Sequence, residues 1–419
     1  MVAGAAGRGP RHVTVIGAGV VGISCALFLQ RDGHRVTVID PGGPGEGASQ
    51  RNAGFISSGS VIPIATPGIL RRVPKMLLDP RAPLAIRWRY LPWIAPWLVR
   101  FLRASAPDRV EAISVALKTL LDLTHRSYDE ATAGNDARRY VQRRGLIYTY
   151  ETDAGLEHAK WAMGLRRRRG VEFEVLSGDE VRRREPAVHP KVRHGVFYPG
   201  TWFVSNLLEF VGALASEVTR NGGELIRARV TGVEMGRSGP RRLRTSAGPR
   251  DVDVVVLAAG AWSRPLAGRL GARVPLDTER GYVATLPRAA GPRIPLLSGD
   301  HSFAITPMED GLRLAGTVEL AGLQAPPNYR RAHVLVELGR RVLTDVNADG
   351  ATYAMGFRPS MPDSLPVIGP SPRHPSVFFA FGHGHLGLAC GPATGMLIAA
   401  MVAGRPLPCD VSPYRADRF

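Results

Sequence analysis

Gly17, Gly19 and Gly22 follow a β-rich run of Val13, Val15 and Ile16 and open a stretch with helical spacing through Ile23, Ala26, Leu27 and Gln30. The chemistry such a turn can perform is the binding of a pyrophosphate. Gly17 permits the tight turn, Gly19 lets the backbone approach the phosphates, and Gly22 allows the helix to pack closely on the strand. The first N–H groups of a helix starting at Gly17-Ala18-Gly19-Val20-Val21-Gly22 have no partner within that helix, so they are free to take an anion. Asp32-Gly33 stops the helix, and a second strand runs from Arg35 through Ile39 to Asp40. Asp40 is an acid placed to accept hydrogen bonds from a ribose hydroxyl. Strand, turn, helix, strand and acid together point to a dinucleotide, with NAD and FAD both open.

The elements that must position this turn spread over the whole chain. Its 419 residues suggest two or three domains. A Gly/Ser/Pro-rich segment at 41–68 holds Ala48-Ser49-Gln50-Arg51-Asn52-Ala53-Gly54, where small residues allow close backbone approach and Ser, Arg and Asn can bind a pyrophosphate or a ring edge. A plain surface loop is the competing reading. Residues 69–104 mix Arg with Trp88, Trp93 and Trp97 around Pro92 and Pro96; this pattern either seats a helix in a membrane interface or caps a cleft, and the cap is the favoured reading. Residues 108–134 read as one core-facing helix, 154–169 and 205–221 as further helices, and 224–234 as one strand. The run 252–257, apolar apart from Asp253, reads as a strand buried on both faces, as in a parallel sheet, ending on Ala258-Ala259-Gly260-Ala261-Trp262-Ser263, where ligands collect. Residues 275–344 alternate instead and read as short antiparallel strands. After them come a buried strand at 377–381, Gly382-His383-Gly384-His385-Leu386-Gly387, and an apolar helix to about Ala403. Pro392 and the glycines 387, 391 and 395 suit close packing better than a membrane span.

The fold class is therefore α/β, with a nucleotide-binding domain (1–75, 200–274 and 350–419) interleaved with an antiparallel α+β substrate or cap domain (76–199 and 275–349). Residues 1–11 read as a flexible tail. Hydrophobic residues at 44% and charged residues at 21% exclude disorder as the default. The net charge of +18 favours anionic partners, but the arginine clusters at 166–169, 182–184 and 241–244 lack interleaved aromatics, so no nucleic acid partner is expected. Cys25, Cys390 and Cys409 are too scattered for a disulfide framework or a metal site, which suits a reducing compartment. No signal peptide is read. The expected location is cytoplasmic, with peripheral contact on the inner face of the cell membrane as an option.

On the motifs at 15–22, 52–54, 257–263, 279–282, 316–319, 356–363 and 382–387, the chain resembles the FAD-dependent D-amino-acid oxidase superfamily, and within it most closely the bacterial D-amino-acid dehydrogenase branch. The resemblance covers nearly the whole chain and implies a Rossmann-like FAD-binding domain and oxidation of an amino acid's Cα–N bond. Electrons would pass to a quinone or other carrier, or to oxygen in a glycine- or sarcosine-type amine oxidase; a partner-dependent FAD-binding subunit is a further option. It implies that Gly17, Ala18, Gly19, Val20, Val21 and Gly22 hold the pyrophosphate and Asp40 the ribose. Gln50, Arg51 and Asn52 reach the flavin side, Val230 lies by the adenine, and Ala259, Gly260 and Trp262 line the cofactor. Gly384, His385, Leu386 and Gly387 bring N–H groups to the flavin's pyrimidine end. Arg358 is the expected substrate-carboxylate fork, the competing reading being a structural pair with Asp363, and Tyr282 is a second carboxylate contact or pocket wall. His383 and His385 are expected to order their turn rather than act as bases. Relatives resembling monomeric sarcosine oxidase attach FAD through a cysteine near the position of Gly356, so FAD is expected to be non-covalent here.

Overall fold

The computed structural model describes residues 9–69, 73, 83–237 and 239–419. The start of the expected tail and the expected domain boundary at 75/76 lie outside the described residues. His12–Ile16 pairs in parallel with Arg35–Asp40 on one side and Val254–Leu257 on the other. Glu224–Arg227 extends the sheet beyond Arg35–Asp40, and Val377–Phe381 extends it beyond Val254–Leu257 in the same sense; Val367–Pro370 closes it antiparallel. Val254–Leu257 and Val377–Phe381 are buried along their whole length, as continuous apolar strands covered on both faces must be.

Helices Val20–Arg31 and Gly387–Ala403 cross in direct contact on one face of this sheet. The crossing needs glycine. A Cβ on Gly395 would stand 2.6 Å from the Ser24 carbonyl, and one on Gly391 would press on Val20 at 3.3 Å. The last helix with its preceding turn is long and apolar enough to cross a membrane by length and composition, yet 83% of its apolar window is buried inside the protein. Gly404, at φ 72°, ends it in the left-handed cap that glycine adopts without strain.

A large, mostly antiparallel sheet forms the second layer. Its order is Thr352–Ser360, Asp277–Leu286, Gly311–Leu320, Phe303–Met308, Leu296–Ser298, Leu146–Tyr150, His194–Tyr198 and Glu174–Ser177. Leu84–Ile86 adds to Gly311–Leu320 in parallel, and Leu296–Ser298 meets Leu146–Tyr150 in parallel. Thr352–Ser360, grouped with the nucleotide-binding segments in the sequence reading, pairs along its length with Asp277–Leu286.

Three local expectations are corrected. Residues 275–344 are not strands alone: helix Arg330–Val342 packs Ala332, Leu335, Val336 and Val342 onto the large sheet. The strand expected at 224–234 is two strands in two sheets. The Ala228 N–H donates to Asp40 O, after which Val230–Gly236 leaves to form a meander with Gly239–Thr245 and Gly248–Asp251. The helix expected at 108–134 is split into Pro107–Leu121 and Thr124–Ala131. Helix Leu91–Ala104 is tied to the large sheet: its buried Trp97 donates Nε1–H to Ser360 O at 3.2 Å, at the end of the sheet's edge strand.

Candidate functional site

Ile16, Asp40, Leu257 and Phe381 end four neighbouring parallel strands on one sheet edge, where ligands of such sheets bind. Gly17 turns there at φ 114°, and a Cβ on it would run into the Ala258 carbonyl. A Cβ on Gly22 would overlap the Gly17 carbonyl oxygen, so the helix start is pressed against the turn. Gly19 differs. The nearest protein atom to its absent Cβ is Ser49 Oγ at 3.3 Å, which leaves an open approach on the side of the helix start. Ser49 Oγ accepts the Val20 N–H at 2.9 Å. The Asp40 carboxylate accepts from Ala18 N–H and Gly42 N–H, both at 2.8 Å. Two N–H bonds leave lone pairs over for a hydroxyl. Val230 stands close by, packed on the cluster containing Ile16, Ile39 and Ala228.

The loop Gln50-Arg51-Asn52 bridges this cradle to the large sheet. Arg313 Nη1 donates to Gln50 O at 2.9 Å, Arg51 Nη1 to Met355 O at 3.1 Å, and Asn52 Nδ2 back to Ser49 O at 2.6 Å. The Asn52 side-chain oxygen accepts the Gly54 N–H, which fixes the turn. Gln50 Oε1 is buried and without a hydrogen-bond partner among the described residues. Ala259 abuts Gly17, Gly260 turns at φ 52° with nothing near its Cβ position, and Trp262 is exposed with its ring edge-on to Phe357 at 5.3 Å. Gly384, at φ 55°, Leu386 and Gly387 form the start of the last helix, again with little packed over the glycines. An open helix start, glycines facing empty space and an orphaned buried amide oxygen fit an elongated dinucleotide such as FAD.

Strand Thr352–Ser360 carries Arg358 toward the same place. Ser360 bridges His383, so the arginine's strand is joined to the turn before the last helix. Gly356 packs on Arg51 and offers no thiol. The Arg358 guanidinium lies across Gly281 and donates Nη1–H to Thr317 O at 2.9 Å; among the described residues it makes no ion pair. Asp363 pairs instead with Arg418, Nε to Oδ2 at 2.8 Å, which removes the structural alternative for Arg358. Burial lowers the Arg358 pKa, while the nearby carboxyl of Glu279 opposes the shift. Glu279 is itself raised by burial. His383 shares a hydrogen bond with Thr394 Oγ1 through Nε2, and burial holds it down to about 3. The His385 ring opens on the cleft; desolvation, then the Arg358 charge, hold it down to about 4. Both rings are neutral at ordinary pH.

Tyr282 is not brought to this group. It is fully buried with the core under helix Arg330–Val342, donates to Glu319 Oε2 at 2.6 Å and accepts from the Asn328 N–H at 2.8 Å. Side chains alternate along a strand, and Gly281, not Tyr282, lies under Arg358. Sequence reasoning passed over Gly281 and Thr317 as individual site residues and Ser49 as the acceptor at the helix start. The first two sit in quoted motifs, but only strand pairing reveals their partner.

The family description "FAD dependent oxidoreductase", of the DAO family, matches residues 12–401. A "D-amino-acid oxidase" of Bradyrhizobium diazoefficiens is 38% identical over 98% of this chain and 99% of its own length. A "D-amino acid dehydrogenase" of Paramagnetospirillum magneticum is 32% identical over 97% of this chain and 98% of its own. Among solved structures, glycine oxidase from Bacillus cereus is similar at a TM-score of 0.71 and 20% identity, over 98% of this chain and 99% of that one. L-proline dehydrogenase from P. horikoshii is similar at 0.70 and 17%, over 98% of each chain. The chain belongs to the DAO family of FAD-dependent oxidoreductases.

Proposed function

We propose that this protein oxidises D-amino acids at the Cα–N bond, with non-covalent FAD. The single observation that carries the reading is Arg358, a half-buried guanidinium that makes no ion pair among the described residues. A partly desolvated cation with no carboxylate within ion-pair distance is left under-compensated, Glu279 acting on it only from farther off, and a substrate carboxylate supplies the missing contact in the bidentate geometry guanidinium favours. The curated relatives named for D-amino acids support the choice of substrate class.

When bound, FAD would supply the acceptor for a hydride equivalent leaving the substrate carbon. The chain's own part is to hold and to exclude. Residues Gly17 to Gly22 take the pyrophosphate and Asp40 the ribose; Gln50, Arg51, Asn52, Ala259, Gly260, Trp262 and Gly384 to Gly387 surround the remainder. Arg358 fixes the carboxylate so that the Cα–H points one way, which is worth most when the reacting geometry is set in advance. His383 and His385, their pKa values held down to about 3 and about 4, are weak bases, so the amine arrives in its neutral form without a protein base. The imine released then hydrolyses to a 2-oxo acid and ammonia.

The favoured acceptor is a quinone or other carrier, reached by peripheral contact on the inner membrane face through the exposed Trp88 and Trp93 and the exposed Arg87, Arg89, Arg100 and Arg103. Direct use of oxygen is the second reading, supported by the relative named as an oxidase. The test is product formation from each enantiomer of alanine and proline, with an artificial electron acceptor and separately with oxygen. The D enantiomers should yield 2-oxo acid or cyclic imine with the acceptor; turnover of L enantiomers alone would contradict the reading.

A further inference from the structure

Thr317 stands at φ 57° inside strand Gly311–Leu320. A β-branched residue enters the left-handed region at a steric cost, and such strain persists where the surroundings enforce it. Here it coincides with a bulge. Against strand Asp277–Leu286, Gly316 pairs with Tyr282 and Glu319 with Arg280, so Thr317 and Val318 together oppose Gly281. A bulge takes a residue out of the ladder and re-aims it. The freed Thr317 carbonyl accepts Arg358 Nη1–H at 2.9 Å. The side chain supplies the second observation: Thr317 is 5% exposed, and its Oγ1 is buried without a hydrogen-bond partner among the described residues. Buried hydroxyls are ordinarily paired.

We propose that Thr317 is a second contact for the substrate carboxylate. Its carbonyl clamps one edge of Arg358, and its Oγ1–H donates to a carboxylate oxygen held by the guanidinium. The arrangement leaves the Nε and Nη2 groups, lying over Gly281, for the substrate. A hydroxyl beside the fork adds a third donor and fixes the carboxylate's rotation about the guanidinium plane. The inference rests on the reading of Arg358 as the carboxylate site.

The test uses the FAD-loaded full chain with Thr317→Val, which keeps the branched shape and removes the hydroxyl, Thr317→Ser, which restores it, and Arg358→Ala. Propanoate reports on carboxylate binding alone, through perturbation of the oxidised flavin spectrum. D-Alanine reports through anaerobic flavin reduction. Thr317→Val should keep its flavin and its melting temperature while binding both probes about tenfold more weakly, the effect of one hydrogen bond to a charged group. Thr317→Ser should bind within about twofold of the parent. Parent-like propanoate binding by Thr317→Val, or an equal loss in Thr317→Ser, overturns the inference alone, provided Arg358→Ala still abolishes binding. Parent-like binding by Arg358→Ala overturns the carboxylate site and this inference with it.

Discussion

The Arg358 guanidinium lies across the backbone of Gly281, where a Cβ would overlap Nη2 and Cζ and stand 2.8 Å from Nε. The overlap is with the movable end of a side chain, so Gly281→Ala should fold with a stability loss near the low end of overpacking, about 1 kcal/mol. The displaced fork should raise the dissociation constant for D-alanine at least tenfold in anaerobic flavin reduction. Unchanged binding with unchanged flavin content would mean that the position of Arg358 over Gly281 is irrelevant to substrate.

Gly19 and Gly22, three residues apart, should fail in different ways when changed to alanine. Gly22→Ala forces a Cβ into the Gly17 carbonyl, a backbone overlap expected to cost about 3 kcal/mol or more. Gly19→Ala meets only Ser49 Oγ at 3.3 Å, so stability should hold while FAD retention falls. Chemical denaturation of the apoprotein beside flavin content of the purified protein separates the two.

The dinucleotide cradle was legible because its parts are neighbours in sequence: strand, three glycines, helix and Asp40 lie within residues 12–40. Arg358 was legible as a charged residue in a motif, yet its relation to Gly281 and Thr317 depends on the pairing of three strands. Tyr282 illustrates the limit. Its motif pointed to the site, while strand alternation turned its ring into the core beneath helix Arg330–Val342. That helix did carry a signal, since Ala332, Leu335, Val336, Leu338, Gly339 and Val342 have helical spacing; the surrounding strand pattern masked it.

His383 should make the protein acid-sensitive. Its folded pKa of about 3 lies below the 6.5 of an unfolded histidine. The unfolded chain therefore binds the extra proton, and stability is fully present above pH 6.5 and lost as pH falls toward 3. The slope for one group is at most about 1.4 kcal/mol per pH unit, so about 2 kcal/mol should be lost between pH 7 and pH 5. In His383→Gln the same interval should show a smaller loss by urea denaturation. Equal losses in the parent and His383→Gln would assign the sensitivity to other groups.

Trp88 and Trp93 are 66% and 77% exposed beside exposed arginines. Tryptophan at an interface with cations toward anionic headgroups is the pattern of peripheral binding. The protein should sediment with phosphatidylglycerol vesicles and not with phosphatidylcholine, and the double change Trp88→Ala, Trp93→Ala should release it without altering flavin content. Equal recovery in the supernatant with both lipids would remove membrane contact from the account.

Anaerobic titration of the flavin band with D- and L-alanine, in the parent and in Arg358→Ala, tests the central claim most directly. The account predicts full bleaching by D-alanine in the parent, none by L-alanine, and a flavin-loaded Arg358→Ala that D-alanine fails to bleach at the same concentrations. Bleaching of both proteins alike, or of the parent by the L enantiomer alone, would contradict it.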